Sequence, residues 1–324
     1  MQNTLKSAVT FKGLGLHSGR PVLMKVLPAS ADYGIWFKRV DLPAAQAMIA
    51  ARWDQVVPSR LCTLLRNDAG AEVSTVEHIM AALAGCGIHN AVIEIDGPEV
   101  PILDGSAVPF VEAFIARGLT EQMSPVRAIR VLMAPMPPEA PAGGRGLGGL
   151  KPLAWGGPSA VTGDQPADML EIDFRIDFAE PAIGRQEKRL NLANGTFVRE
   201  LCDSRTFCRQ ADVDLMRANG LALGGSLENA VVFEGERVLS PGGLRHKDEP
   251  VRHKMLDAMG DLYLAGGPVL GRYTGLRAGH ALTNRLLHAL FADPSAWRMV
   301  ECSPQTVGKL PGVGVLRSDL PATA

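Results

Sequence analysis

From residue 170 to residue 178 the chain reads Leu-Glu-Ile-Asp-Phe-Arg-Ile-Asp-Phe, with an apolar side chain at every second position. A two-residue period predicts a strand with one buried face and one polar face. Shorter apolar runs predict further strands at 22–27 and 128–132. Val92, Ile93 and Ile95 mark another across 88–96, closed by Gly97-Pro98. Between 74 and 87 the period changes. Val76, Ile79, Met80 and Leu83 recur at helical spacing, Ser74 and Glu77 stand at capping-box spacing, and Gly85 and Gly87 end the run. Two more helices are predicted, at about 251–264 and 279–291. Strands and helices mix without regular βαβ alternation, which predicts an α+β fold rather than a doubly wound parallel one.

At about 100–200 residues per domain, 324 residues suggest two domains. The boundary is placed just before the 128–132 strand. This gives an N-terminal α+β domain at 1–125, a C-terminal α+β domain at 126–305 and an irregular tail at 306–324. Residues 134–167 are dense in Gly and Pro, as in Pro135-Met-Pro-Pro138 and Gly143-Gly-Arg-Gly-Leu-Gly-Gly149, and predict a long mobile loop.

Composition narrows the function classes. A hydrophobic fraction of 46% is enough for a real core, and a formal net charge of -1 argues against a nucleic-acid binder. No stretch has the roughly 18 uncharged apolar residues of a membrane span, and residues 1–12 lack the apolar segment of a signal peptide. Cys62, Cys86, Cys202, Cys208 and Cys302 are odd in number and lack CxxC spacing, as expected of reduced thiols in a cytoplasmic protein.

Several places could carry chemistry. Glu77-His78 lies outside the apolar stripe of its predicted helix. It is either a capping box beside a surface histidine or a metal-ligating histidine beside a carboxylate base. On the 251–264 helix, His253, Asp257 and Asp261 are spaced by four and share one face. They make either a solvated acidic face or a grip for one cation. Gly279-His280 opens another helix, where the histidine is a candidate general acid or a satisfied cap residue. Within Ser204-Arg-Thr-Phe207, the threonine hydroxyl could stabilise an oxyanion. The glycine-rich turns at 13–19, 103–107 and 223–226 match neither a Walker A loop nor a dinucleotide fingerprint, and no GxSxG elbow exists.

Taken together, Gly13-Leu-Gly-Leu-His-Ser-Gly19, Ser74-Thr-Val-Glu-His78, Pro101-Ile-Leu-Asp-Gly-Ser106, Ser204-Arg-Thr-Phe207, Val251-Arg-His-Lys-Met-Leu-Asp257 with Gly260-Asp261, and Gly279-His280 resemble one family. It is that of the zinc-dependent UDP-3-O-acyl-N-acetylglucosamine deacetylases of Gram-negative lipid A (lipopolysaccharide) biosynthesis. The strings follow family order from about residue 4 to residue 300.

The resemblance implies two sheets with helical layers meeting between them, and a small βαβ insert at about 208–232 forming a passage for an acyl chain. It implies His78, His253 and Asp257 as ligands of Zn2+ (Fe2+ suits the same donors), with the fourth position open. Glu77 would be the general base, Thr206 an oxyanion donor, and His280, held cationic by Asp261, the acid. Lys254, Phe207, Leu61, Cys62, Thr63, His17 and Lys151 would contact a UDP-linked glycolipid substrate. A monomer is expected, without nucleic acid and with at most peripheral membrane contact.

Two features depart from the family pattern. The 134–167 segment is longer, and Cys208-Arg209 replaces a small residue followed by an aromatic. Two rivals keep a different chemistry in view. One is a metal hydrolase of another amide, since a scaffold does not fix a substrate. The other is a lipid carrier without catalysis.

Overall fold

The computed structural model describes residues 1–59, 61–133, 158–159 and 168–322. Lys151 lies outside the described residues, as does the predicted 134–167 loop apart from Pro158–Ser159, a short strand paired with Arg272 and Tyr273.

The N-terminal half builds a five-stranded sheet in the order Val9–Leu14, Pro21–Pro28, Ala91–Ile95, Ile35–Arg39, Met48–Ala50. In Pro21–Pro28 the alternating Val22, Met24 and Val26 are buried, as the period-two pattern requires. A Val108–Arg117 helix packs on this half, with Phe110 meeting Phe11 edge to face at 4.9 Å between ring centroids. That helix was not anticipated.

The second half builds another sheet from Arg185–Asn191, Leu170–Asp177, Val269–Leu276, Arg127–Val131 and Trp297–Glu301, in that order. In Leu170–Asp177 the apolar set Leu170, Ile172, Phe174 and Ile176 is buried while Arg175 and Asp177 face out. At about 1.5–3 kcal/mol per buried large apolar side chain, this face alone fixes the strand's register.

The Glu77–Gly85 helix meets the Glu249–Tyr263 helix, which lies on the Leu170–Asp177 and Arg185–Asn191 strands. Helices from the two halves therefore meet between the sheets, and one continuous apolar core joins them. Close approach is possible because Gly260 sits at the crossing. A Cβ there would lie 2.0 Å from the Glu77 carbonyl oxygen.

The predicted insert takes the form of a βαβ unit. Phe207–Arg209 pairs parallel with Val231–Phe233, and the Gln210–Ala218 helix lies between them. A third strand, Arg237–Val238, extends the unit beyond 232. The tail is less irregular than expected. Pro304–Val307 is helical, Arg317–Asp319 forms a 3-10 turn, and Gly312 packs directly on Gly87.

One local prediction fails. Ser74 is not the cap of the first helix; it ends the Glu72–Ser74 strand, its N–H donating to the Pro98 carbonyl. Thr75 then turns the chain in the left-handed region (φ 57°), and Val76 is the cap residue without a side-chain bond. The Glu77 carboxylate is thereby released from capping and turned inward.

Candidate metal centre

The Glu77–Gly85 helix is buried along its whole length, so Glu77 and His78 are interior residues rather than members of a wet face. The same holds for His253, Asp257 and Asp261, which removes the solvated-acidic-face reading of the second helix. Where the two helices cross, His78, His253 and Asp257 offer ligand atoms within 4.8 Å of one another. Both imidazole Nε2 atoms face Asp257 Oδ1, at 3.7 Å from His78 and 3.2 Å from His253, and the two rings stand perpendicular.

The donor set fits a divalent cation. Asp257 Oδ1 is buried without a hydrogen-bond partner among the described residues, an arrangement that is costly unless something positive sits against it. Burial, reinforced by the neighbouring imidazole of His253, pushes His78 down to about 3, and burial lowers His253 as well, so both rings are neutral with a lone pair to give. The His253 Nδ1–H donates to the Ser204 carbonyl at 2.9 Å, the tautomer that leaves Nε2 free. Burial alone would raise Asp257, but His253 and the Lys254 ammonium outweigh it and hold the carboxylate well below its ordinary range. Two imidazoles and one carboxylate are the donors of a site that keeps a position open.

On one side of this cluster lies Glu77. Burial raises its carboxyl to about 7, and the Asp261 and Asp257 carboxylates add to the effect against the opposing His280 charge. Its Oε1 is 3.6 Å from His280 Nε2 and its Oε2 accepts the Thr63 N–H at 3.1 Å. His280 opens the His280–Ala292 helix, where burial and a helix N-terminus both oppose a positive ring. The carboxylates of Asp261, Glu77 and Asp257 overcome this and raise it to about 9. Asp261 divides its oxygens: Oδ2 faces His280 Nδ1 at 2.9 Å and Oδ1 accepts from the Thr63 hydroxyl at 2.5 Å.

The remaining predicted residues fall in several places. Phe207 stacks edgewise on the His253 ring at 6.2 Å between centroids. Thr206 is half-buried at the entry to the same strand, its hydroxyl unbonded among the described residues. Lys254 donates to Asp257 Oδ2 at 2.6 Å and does not extend toward solvent. Thr63 is fully buried and holds Asp261 and Glu77, so its polar groups face catalytic candidates rather than an open substrate surface. Leu61 is exposed. Cys62 is buried against Ser59, where burial together with Glu77 pushes its thiol up to about 11, and it is not part of the His78, His253 and Asp257 cluster. His17 does not join the cluster. Its N–H, with that of Ser18, donates to Glu99, which also accepts from the Thr75 hydroxyl.

Sequence reading missed Arg205 and Glu249, a buried pair beside His253, and Asn284, whose Nδ2 donates to the Thr63 hydroxyl at 3.4 Å. Glu249 had a signal, because it continues the spacing of His253, Asp257 and Asp261 by one turn.

A cation cradle of neutral imidazoles and a carboxylate, flanked by a buried carboxyl near neutrality and a buried imidazolium, is the arrangement of a metal-dependent hydrolase. Comparison with known proteins narrows the class. Residues 2–292 match the family model for UDP-3-O-acyl N-acetylglycosamine deacetylase (LpxC), and the chain belongs to that family. It is 44% identical over 301 residues to the UDP-3-O-acyl-N-acetylglucosamine deacetylase of Shewanella sp. (strain W3-18-1), covering 92% of each chain. It is equally 44% identical over 303 residues to that of Phenylobacterium zucineum (strain HLK1), covering 92% of this chain and 96% of the relative. A metal cofactor is implied by this family, and the described residues offer one cluster for it. No helix among them is long and apolar enough to cross a membrane.

Proposed function

We propose that this protein hydrolyses the N-acetyl group of UDP-3-O-(3-hydroxyacyl)-N-acetylglucosamine to acetate and the free 2-amino sugar, the committed step of lipid A biosynthesis. The observation that carries the reading is the convergence of His78, His253 and Asp257 on one point, with Asp257 Oδ1 unpartnered and Glu77 and His280 beside it. Zn2+ is the proposed ion. When bound, it supplies Lewis acidity that acidifies water and polarises an amide carbonyl.

The chain's own residues do the rest. Glu77, poised near neutrality, takes a proton from the attacking water. Thr206 donates to the oxyanion that develops on the amide carbonyl. His280, kept protonated by Asp261, protonates the departing amine as the C–N bond breaks. The βαβ insert starts at Phe207, against the ring of His253, which supports its assignment as the passage for the acyl chain. Exposed Leu215, Leu221, Leu223 and Leu227 on that insert support a peripheral encounter with a lipid surface.

The test is acetate release from the UDP-linked substrate by protein of known metal content. Glu77→Ala should keep zinc and lose turnover by at least 10²-fold, whereas His78→Ala or Asp257→Asn should lose zinc. Full activity in metal-free protein, or equal rates on simple N-acetyl sugars, would overturn it.

A further inference from the structure

The Ser204-Arg205 peptide is held at both ends by residues of one helix. Its carbonyl accepts the His253 Nδ1–H at 2.9 Å, and its N–H donates to Glu249 Oε1 at 3.0 Å. A peptide unit is planar, with N–H and C=O on opposite edges, so fixing one edge fixes the direction of the other. Glu249 and His253 are one helical turn apart on the same face. The peptide therefore spans them like a rung.

Glu249 is itself locked. It is wholly buried, and its carboxylate accepts from Arg205 Nε at 2.9 Å, Arg205 Nη2 at 3.1 Å and the Arg245 N–H at 2.7 Å. Arg205 is buried too, with Nη2 also donating to the Gly243 carbonyl at 2.7 Å. Each contact removes one freedom from the carboxylate that orients the rung.

We infer that the buried Arg205–Glu249 pair is a positioning device for the metal centre: it fixes the Ser204 carbonyl that sets the tautomer and plane of His253. Neither side chain touches the cation cluster, so both act through the peptide between them. This gives Ser204 and Arg205, the two members of the Ser204–Phe207 string with no other task, a role in holding the ion. It rests on the reading of His253 as a ligand. Partners that orient a ligating histidine through its second nitrogen are worth about 10–100-fold in metal affinity.

The experiment compares Arg205→Lys, which keeps the charge and loses the fork, and Glu249→Gln, which keeps the shape and loses the charge. Zinc affinity of the folded apoprotein is measured by competition with a chelator, and the visible spectrum of the Co2+-loaded protein reports the ligand geometry. Urea unfolding of the same apoproteins measures stability separately. Arg39→Lys is the control, because it disturbs the forked pair of another buried arginine, Arg39, with the exposed Asp41 at the end of a strand in the other sheet. The expected result is a 10–100-fold loss of zinc affinity and an altered Co2+ spectrum in both variants, with Arg39→Lys losing stability alone. Parent-like affinity and spectrum in the folded Arg205→Lys and Glu249→Gln proteins would overturn the inference and leave the pair as a stability feature. His253→Ala separates the two readings. If the parent binds zinc no better than His253→Ala, the ligand assignment itself falls.

Discussion

Adding a single methyl at Gly260 should open the crossing on which the metal centre depends. The residue sits at an ordinary helical position, where replacing Gly by Ala in isolation gains about 1 kcal/mol of helix propensity. Packing says the opposite. The new Cβ would lie 2.0 Å from the Glu77 carbonyl oxygen and 3.1 Å from the Ala81 nitrogen, whereas real Cβ contacts essentially never fall below 3.0 Å. The obstacles are backbone atoms of the neighbouring helix, which cannot rotate away as a side chain can. The two helices must part by about 1 Å, and overpacking of this kind costs about 1–3 kcal/mol. The net effect on folding is a loss of about 0–2 kcal/mol.

The effect on the site should be larger. His78 is on one helix, and His253 and Asp257 are on the other, while metal-ligand distances tolerate about 0.2 Å. A 1 Å misplacement costs about 10²-fold in turnover. Gly260→Ala should therefore lose at least tenfold in zinc affinity by chelator competition and about 10²-fold in kcat/KM for acetate release, with only a modest drop in the urea midpoint. If Gly260→Ala were as stable as the parent, fully metallated and fully active, the close crossing would not be what assembles the centre.

Three further outcomes follow from the geometry. Thr63→Val, which keeps the shape and removes the hydroxyl on Asp261, should lower kcat by about 10–10²-fold at unchanged zinc content, and Thr63→Ser should restore it. An unaffected kcat in Thr63→Val would show that Asp261 needs no such anchor. The pH profile of kcat/KM should be a bell. Its rising limb lies at or below about 7 as Glu77 becomes a carboxylate, a bound cation moving that limb further down, and its falling limb near 9 reports loss of the His280 proton. His280→Asn should abolish the falling limb, and a profile with that limb intact would remove His280 from the acid role. Burial pushes His89, which accepts the Asn3 N–H at Nδ1, down to about 4. Its contribution to stability is complete above pH 6.5 and declines as pH falls toward 4, because the unfolded chain takes the proton first. The loss is at most about 3 kcal/mol, and urea unfolding of His89→Asn should show a flatter acid slope than the parent.

The sequence by itself determined the parts whose cause is local. Alternation marked Leu170–Asp177 because a sheet face is buried or not at each residue, without reference to distant chain. The spacing of four put His253, Asp257 and Asp261 on one side of a helix for the same reason. Local chemistry misled where tertiary contacts took over. Ser74 and Glu77 have capping-box spacing, yet Ser74 pairs with Pro98 and Glu77 faces His280.

Only the tertiary structure decided that His78 and His253, 175 residues apart, share one point, because that depends on how two helices cross. It also decided that Glu77 is a buried carboxyl near neutrality and His280 a buried cation, since each owes its charge state to groups brought from elsewhere in the chain. Thr63 was legible as a neighbour of the site but not as the anchor of Asp261, 198 residues away. Periodicity records which face of an element is buried; it holds no information on which buried faces meet.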